Sequence, residues 1–319
     1  MKNLIDKKIY LAGHNGMVGS AILRELEGRG YKNIFYKDFS ELDLRNQSEV
    51  QNFFEEIKPQ IVIIAAAKVG GILANNTYRA EFLYDNLMIE ANLIHTSYLS
   101  KVEKVVFLGS SCIYPKLAPQ PLKEEYLLTD TLEFTNEPYA IAKIAGIKLC
   151  ENYYRQYNCN FISAMPTNLY GPNDNFNLET SHVLPALIRK FYEAKVQGKD
   201  SVTIWGTGNP LREFMFVEDL ANAIVFMMEN IEAKDLYNKG ITHLNVGTGK
   251  DISISDLAKL IAEITGFDGK IVYDSSKPDG TPRKLMDVTR INSLGWKYKT
   301  ELQNGIERTY NWYLEKSNR

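Results

Sequence analysis

Tyr139 and Lys143 stand four residues apart, so on a helix they share one face. A phenol, whose ordinary pKa is about 10, shuttles protons poorly at neutral pH. An ammonium beside it would stabilise the phenolate and bring that value down. Spacing alone carries little: a chain with 19 tyrosines holds about one or two such pairs by chance, and Tyr273/Lys277 is a second instance with nothing reactive before it. Tyr139/Lys143 differs because Gly109-Ser110-Ser111-Cys112 follows a predicted strand over 104–108. Ligands bind at that carboxyl end of an open α/β sheet, where the Ser110 hydroxyl could polarise a carbonyl.

A second segment with chemical meaning is Gly13-His14-Asn15-Gly16-Met17-Val18-Gly19, between a predicted strand over 8–12 and a helix over 17–29 with Val18, Ile22, Leu23 and Leu26 on its apolar face. Glycines there let the backbone turn sharply and approach a pyrophosphate, whose charge the helix N-terminus favours. The spacing is GxxGxxG and not GxGxxG; the position between first strand and first helix is what points to a dinucleotide. After the second predicted strand, 33–36, an acidic residue would take the ribose hydroxyls of NAD. Lys37 stands there instead and suits the 2′-phosphate of NADP, with Asp38 beside it opposing that charge.

The elements that must position these residues follow from periodicity. Short β-branched runs over 8–12, 33–36, 60–64, 104–108 and 160–165 alternate with helical patterns over 17–29, 48–57, 75–100 and 137–157. This alternation predicts an α/β, Rossmann-like doubly wound parallel sheet. After Pro166 the rhythm breaks into a loop over 170–175, a helix over 181–197 and a turn over 205–210, and sheet-type patterning returns over 212–230 and 243–246. Beyond Ile252 come two helical patterns, a loop over 275–282 and a closing helix to about residue 316. The predicted division is 1–171 with 212–247 as a nucleotide-binding domain, and 172–211 with 248–319 as a smaller, interleaved α/β substrate lobe.

Composition narrows the function classes. The 319 residues are 45% hydrophobic and 24% charged, with 37 Lys+Arg against 39 Asp+Glu, so there is no basic excess to neutralise nucleic acid or an anionic membrane. Three cysteines, Cys112, Cys150 and Cys159, are too few for a disulfide framework or a Cys-rich zinc site, and free thiols in a reducing compartment are expected. The N-terminal segment runs straight into the first strand, and the longest apolar run, 61–67, is far short of a membrane span. A cytoplasmic protein is expected.

Taken as a set, residues 12–20, 65–71 with 75–78, 108–116, 136–146, 165–172, 181–183 and 277–284 resemble the extended short-chain dehydrogenase/reductase family, over almost the whole chain. Ser-Ser-Cys at 110–112 and Ser-His-Val at 181–183 are similar to those of its members that both epimerise and reduce a GDP-4-keto-6-deoxy sugar. The resemblance implies a reductase triad of Ser110, Tyr139 and Lys143, with Tyr139 protonating O4 as NADPH delivers hydride to C4. It implies that Cys112 and His182 together form the epimerisation acid/base pair at C3 and C5, whose protons the C4 ketone acidifies, one removing a proton and the other supplying it. Thiol and imidazole, with ordinary values near 8.5 and 6.5, straddle neutrality. By the same resemblance NADP(H) would lie against Gly13, Gly16, Met17, Val18, Gly19 and Lys37, and against Leu108, Gly109, Lys143, Pro166, Asn168, Leu169 and His182. The GDP-sugar would meet Lys190, Trp205, Arg212 and Asp279. No metal is implied, and the 75–100 and 137–157 helices would form a homodimer.

Two positions depart from the family pattern. Lys190 replaces an arginine, keeping the charge but giving up bidentate phosphate binding. Phe216 stands where a histidine is common. Such departures leave open a C4-reductase of another GDP-4-keto sugar, for example a heptose, with weak or no epimerase activity. A non-catalytic NADP-binding protein on the same fold is a further alternative.

Overall fold

Runs that are apolar on both faces need cover on both, and the parallel sheet supplies it. The computed structural model describes residues 4–178, 180–277 and 279–317; residues 1–3 of the N-terminal segment and residue 278 of the 275–282 loop lie outside them. Strands β1 (Ile9–Ala12), β2 (Ile34–Phe35), β3 (Ile61–Ile64), β4 (Lys104–Leu108) and β5 (Phe161–Pro166) form one sheet with the later β9 (Leu244–Val246). All neighbours are parallel, in the order β2-β1-β3-β4-β5-β9. Winding reverses between β1 and β3, and the crevice beyond their carboxyl ends is where such a sheet takes its ligand.

Strand alternation divides the core in two. Ile9, Leu11, Ile61, Ile63 and Val106 face the layer that contains α1 (Met17–Gly28), the later α7 (Val217–Asn230) and the short α8 (Ala233–Tyr237). Tyr10, Ala12, Val62, Ile64, Val105 and Phe107 face α2 (Gln47–Ile57), α4 (Arg79–Leu99) and α5 (Glu137–Tyr157). Helix α2 begins at Asn46, whose side chain accepts from the Ser48 and Glu49 N–H groups at 3.1 and 3.3 Å.

A smaller sheet is built on β8 (Leu211–Phe216), with β6 (Asn168–Tyr170), β10 (Asp251–Ser253) and β12 (Arg283–Lys284) paired to it. Strands β7 (Ser201–Trp205) and β11 (Lys270–Asp274) form a separate parallel pair. Helices α6 (Val183–Val196), α9 (Ile254–Thr265) and α11 (Leu302–Ser317) enclose a third core around Phe191, Phe216 and Ile261. The chain then sends Ile291 of α10 (Thr289–Ser293) and Trp296 back into the core beneath the large sheet.

Two expectations need correction. The helix read over 75–100 is α3 (Ile72–Thr77) followed by α4, broken at Tyr78 with φ −104° and ψ 42°. The Asn75 amide bonds back to the Gly70 and Gly71 carbonyls at 2.7 and 3.1 Å, tying the first turn to the preceding loop. Residues 168–170 and 214–216, both assigned to the nucleotide-binding domain, pair with each other in the smaller sheet. A short buried strand looks the same in sequence whichever sheet it joins.

Candidate active site

The loop after β1 is shaped by steric need. Gly13 has φ +88°, and a Cβ there would lie 2.6 Å from the Ala66 nitrogen. Gly19 packs directly on the Gly13 carbonyl, leaving no space for a side chain. Helix α1 starts at Gly16 with no side-chain cap and no acidic residue in its first turn. Its first N–H groups therefore present partial positive charge to the crevice, a cradle suited to a diphosphate. Beside it His14 stacks on Tyr36 with ring centroids 4.3 Å apart, and Asn15 donates to the Asp38 carboxylate. Lys37 is exposed and paired with Glu41 at 2.8 Å, which holds its ammonium above the usual lysine value.

Strand β4 carries Leu108 and Gly109 to the same edge, where a Cβ on Gly109 would run into Met165. Ser110, extended at φ −158°, accepts from the Cys112 N–H at 3.4 Å and caps the short 3₁₀ turn Ser111–Ile113. Helix α5 brings Lys143 to this turn, its Nζ 5.7 Å from the Tyr139 ring centroid and 4.8 Å from that of Phe107. Lys143 is 2% exposed, and its Nζ lies 2.8 Å from Oε1 of Glu90 on α4, itself 1% exposed.

Burial sets the protonation states here. The Tyr139 phenol is pushed well above its ordinary value, first by burial and then by Cys112 and Glu90. That corrects the expectation of a phenol brought down by its lysine: Lys143 already faces a counter-charge, and burial wins. The phenol stays protonated, which is the form that donates. Burial also pushes the Cys112 thiol up, while Lys284, the Ser110 hydroxyl and Lys143 pull it back. His182 begins α6 with its side chain open to the cleft, yet the density of protein around it lowers the imidazole value, and Lys284 adds to this. A thiol and a neutral imidazole therefore share one cation, Lys284, which β12 places in register with Arg212. Lys284 belonged to the recognised 277–284 segment, but no spacing signal gave it a role.

Among the substrate positions, Arg212 donates to the carbonyls of Leu211 (2.8 Å) and Asp279 (3.4 Å) and makes no ion pair among the described residues. A cation so placed is available to a phosphate. The Asp279 carboxylate accepts from the Thr207 N–H at 2.7 Å and its hydroxyl at 2.8 Å, bracing the turn between β7 and β8. Lys190 donates to Thr203 O at 3.2 Å and lies 5.6 Å from the Trp205 ring, with Lys277 at 5.5 Å from the same ring. Pro166, Asn168 and Leu169 stand where the chain leaves the large sheet for the small one, and the Asn168 amide is fixed on Glu213 O at 2.8 Å. Phe216 is buried against Tyr170 at 5.7 Å and lies in the core enclosed by α6, α9 and α11, so that departure from the family pattern is a packing change.

A glycine cradle at the winding reversal, with a tyrosine and lysine at the same sheet edge, defines a nucleotide-dependent class of fold and site. Residues 9–247 match the model of the NAD dependent epimerase/dehydratase family, and the chain belongs to that family. It is 56% identical over 317 residues to GDP-L-fucose synthase 1 of Arabidopsis thaliana, covering 99% of this chain and 96% of that protein. It is 53% identical over 315 residues to GDP-L-fucose synthase of Escherichia coli K12, covering 98% of each. Among solved structures, MlghC, a GDP-mannoheptose C4 reductase from Campylobacter jejuni with NADP bound, superposes with a TM-score of 0.89 at 42% identity over 97% of this chain and 99% of that one.

Proposed function

We propose that this protein is an NADPH-dependent 3,5-epimerase/4-reductase of GDP-4-keto-6-deoxy-D-mannose, forming GDP-L-fucose. The observation that carries the reading is that Tyr139 and Lys143 stand beside the Ser110–Ile113 turn at the carboxyl edge of the large sheet. In this reading Tyr139 with Lys143 serves proton transfer at O4, and Cys112 with His182, both of which feel the charge of Lys284, serves exchange at C3 and C5. Identity above 50% to two GDP-L-fucose synthases supports the hexose over a heptose substrate.

The residues present fit the cofactor. Gly13, Gly16, Met17, Val18 and Gly19 would hold the pyrophosphate, and Lys143 the nicotinamide ribose. Leu108, Gly109, Pro166, Asn168, Leu169 and His182 would border the nicotinamide. Lys37 would meet the 2′-phosphate by exchanging Glu41 for it. When bound, NADPH supplies the hydride for C4. The chain supplies the rest. Neutral His182 removes a proton next to the C4 ketone and the Cys112 thiol returns one from the other side, while Ser110 donates to O4 as charge builds there. Solvent then carries a proton from the imidazolium to the thiolate, restoring both groups before the second centre is inverted. Tyr139 then protonates O4 as the carbonyl is reduced. Arg212, Lys190 and Trp205 hold the GDP portion, with Asp279 keeping their turn in shape.

The cytoplasm suits a protein whose acid is a free thiol, because Cys112 must stay reduced. A homodimer through α4 and α5 is part of the same reading, supported by exposed Tyr84, Leu99, Ile141 and Tyr157 on those helices. The deciding experiment incubates the protein with NADPH and either GDP-4-keto-6-deoxy-D-mannose or its heptose counterpart, with products read by mass and NMR. GDP-L-fucose from the first is expected. Turnover of the heptose alone, or reduction without inversion at C3 and C5, would overturn the reading.

A further inference from the structure

We propose that Glu90 is a positioning residue for the reduction step: from beneath α5 it holds the Lys143 ammonium and offsets the field that this ammonium exerts on the Tyr139 phenol. The proposal rests on Tyr139 and Lys143 acting as assigned above.

Glu90 and Lys143 are 1% and 2% exposed, and 2.8 Å separates Oε1 from Nζ. An ionised carboxylate this deep persists only with a partner, and the lysine is that partner. The fold makes room for it. Gly146 sits in the interior of α5, where glycine is disfavoured relative to alanine, and a Cβ there would meet the Phe107 ring and stand 2.9 Å from Glu90 Oε2. Glu90 Oε1 lies within hydrogen-bonding distance of the Lys143 ammonium, and against the rise that burial causes this contact lowers the carboxyl's value. An ammonium carries three N–H donors, so those not spent on Glu90 can turn toward a ribose hydroxyl or the phenol.

The surroundings isolate this effect. Glu90 acts on Lys143, Tyr139 and Cys150, all on α5, and the Cys112 thiol acts on Tyr139 from the turn after β4. Strand β3 and helix α3, which pack on α4, carry no titratable side chain, and Glu49, Glu55 and Glu56 of α2 are exposed. Burial pushes the Glu90 carboxyl up and Lys143 pulls it back. With Glu90 ionised, the phenol faces a nearly neutral pair and keeps its proton until hydride arrives. Without that negative charge it faces an unopposed cation, which favours the phenolate.

Reduction needs the protonated phenol, so its rate falls as pH rises through the phenol's pKa. The test uses the full-length protein carrying Glu90→Gln or Glu90→Asp, with thermal melting to confirm folding. Single-turnover NADPH oxidation by GDP-4-keto-6-deoxy-D-mannose is followed across pH. Glu90→Gln is expected to move the alkaline limb down by about one pH unit, and Glu90→Asp to leave it between that position and the parent's. A folded Glu90→Gln with an unmoved or raised limb overturns the proposal. Should Glu90→Gln fail to fold, Glu90→Asp decides: its longer, weaker pairing lowers the limb by a smaller amount, and an unmoved limb overturns the proposal. Tyr139→Phe is measured in parallel. Near-normal reduction there would overturn the assignment of Tyr139 itself, a failure visible without any Glu90 variant.

Discussion

At the scale of single residues, each proposed role has a measurable consequence. Tyr139→Phe should slow hydride transfer by about 10²-fold or more, the usual contribution of a positioned acid, with NADPH affinity unchanged in an equilibrium titration. Cys112→Ser should abolish deuterium wash-in at C3 and C5 while sparing reduction of a substrate that needs no epimerisation. In the proposed mechanism His182 acts as a base in its neutral form, and burial, then Lys284, lower its pKa from the ordinary value of about 6.5. The base form therefore survives to lower pH than an ordinary histidine's, and the acidic limb of the wash-in rate should fall below 6.5. A limb at or above that value would place the base elsewhere.

At the scale of elements, close approaches set what each helix can present. Gly146→Ala gains up to about 1 kcal/mol in helix propensity. Pushing a methyl against Phe107 and Glu90 costs roughly 1–3 kcal/mol, so the clash wins. Denaturant unfolding should report a net loss of about 1 kcal/mol, accompanied by slower reduction as Lys143 shifts. The opposite kind of effect is local: Asn46→Ala removes the cap of α2 and should cost about 1 kcal/mol with no change in turnover, because α2 reaches no reacting group.

At the scale of the whole molecule, Glu213 ties the two sheets together. It is fully buried on β8; Oε1 accepts from the N–H groups of Thr248 at 2.5 Å and Gly249 at 2.8 Å, and Oε2 from that of Met286 at 2.8 Å. Its strand neighbour is Arg212, and Met286 lies two residues beyond Lys284. Glu213→Gln sets an amide against some of these donors and should cost roughly 2 kcal/mol. It should also raise KM for the GDP-sugar more than it lowers kcat, since Arg212, proposed to bind phosphate, moves before the reacting groups do.

Local order alone determined much of this protein. Strand periodicity at 9–12, 61–64 and 104–108, the glycine cradle at 13–19 and the four-residue step from Tyr139 to Lys143 are near-neighbour properties, so the large sheet, the crevice and the catalytic helix were legible in advance. Tertiary structure decided what depends on distant partners. Strands β6 and β8 chose the smaller sheet because pairing is a contact across 46 residues of chain. Tyr139 is held high and not low first because the fold buries it, with Cys112 and a carboxylate from α4, at residue 90, adding to the same effect. The charge of Lys284 lowers the values of both Cys112 and His182 although three separate elements carry them. Burial and charge act through space, and no spacing along the chain records them.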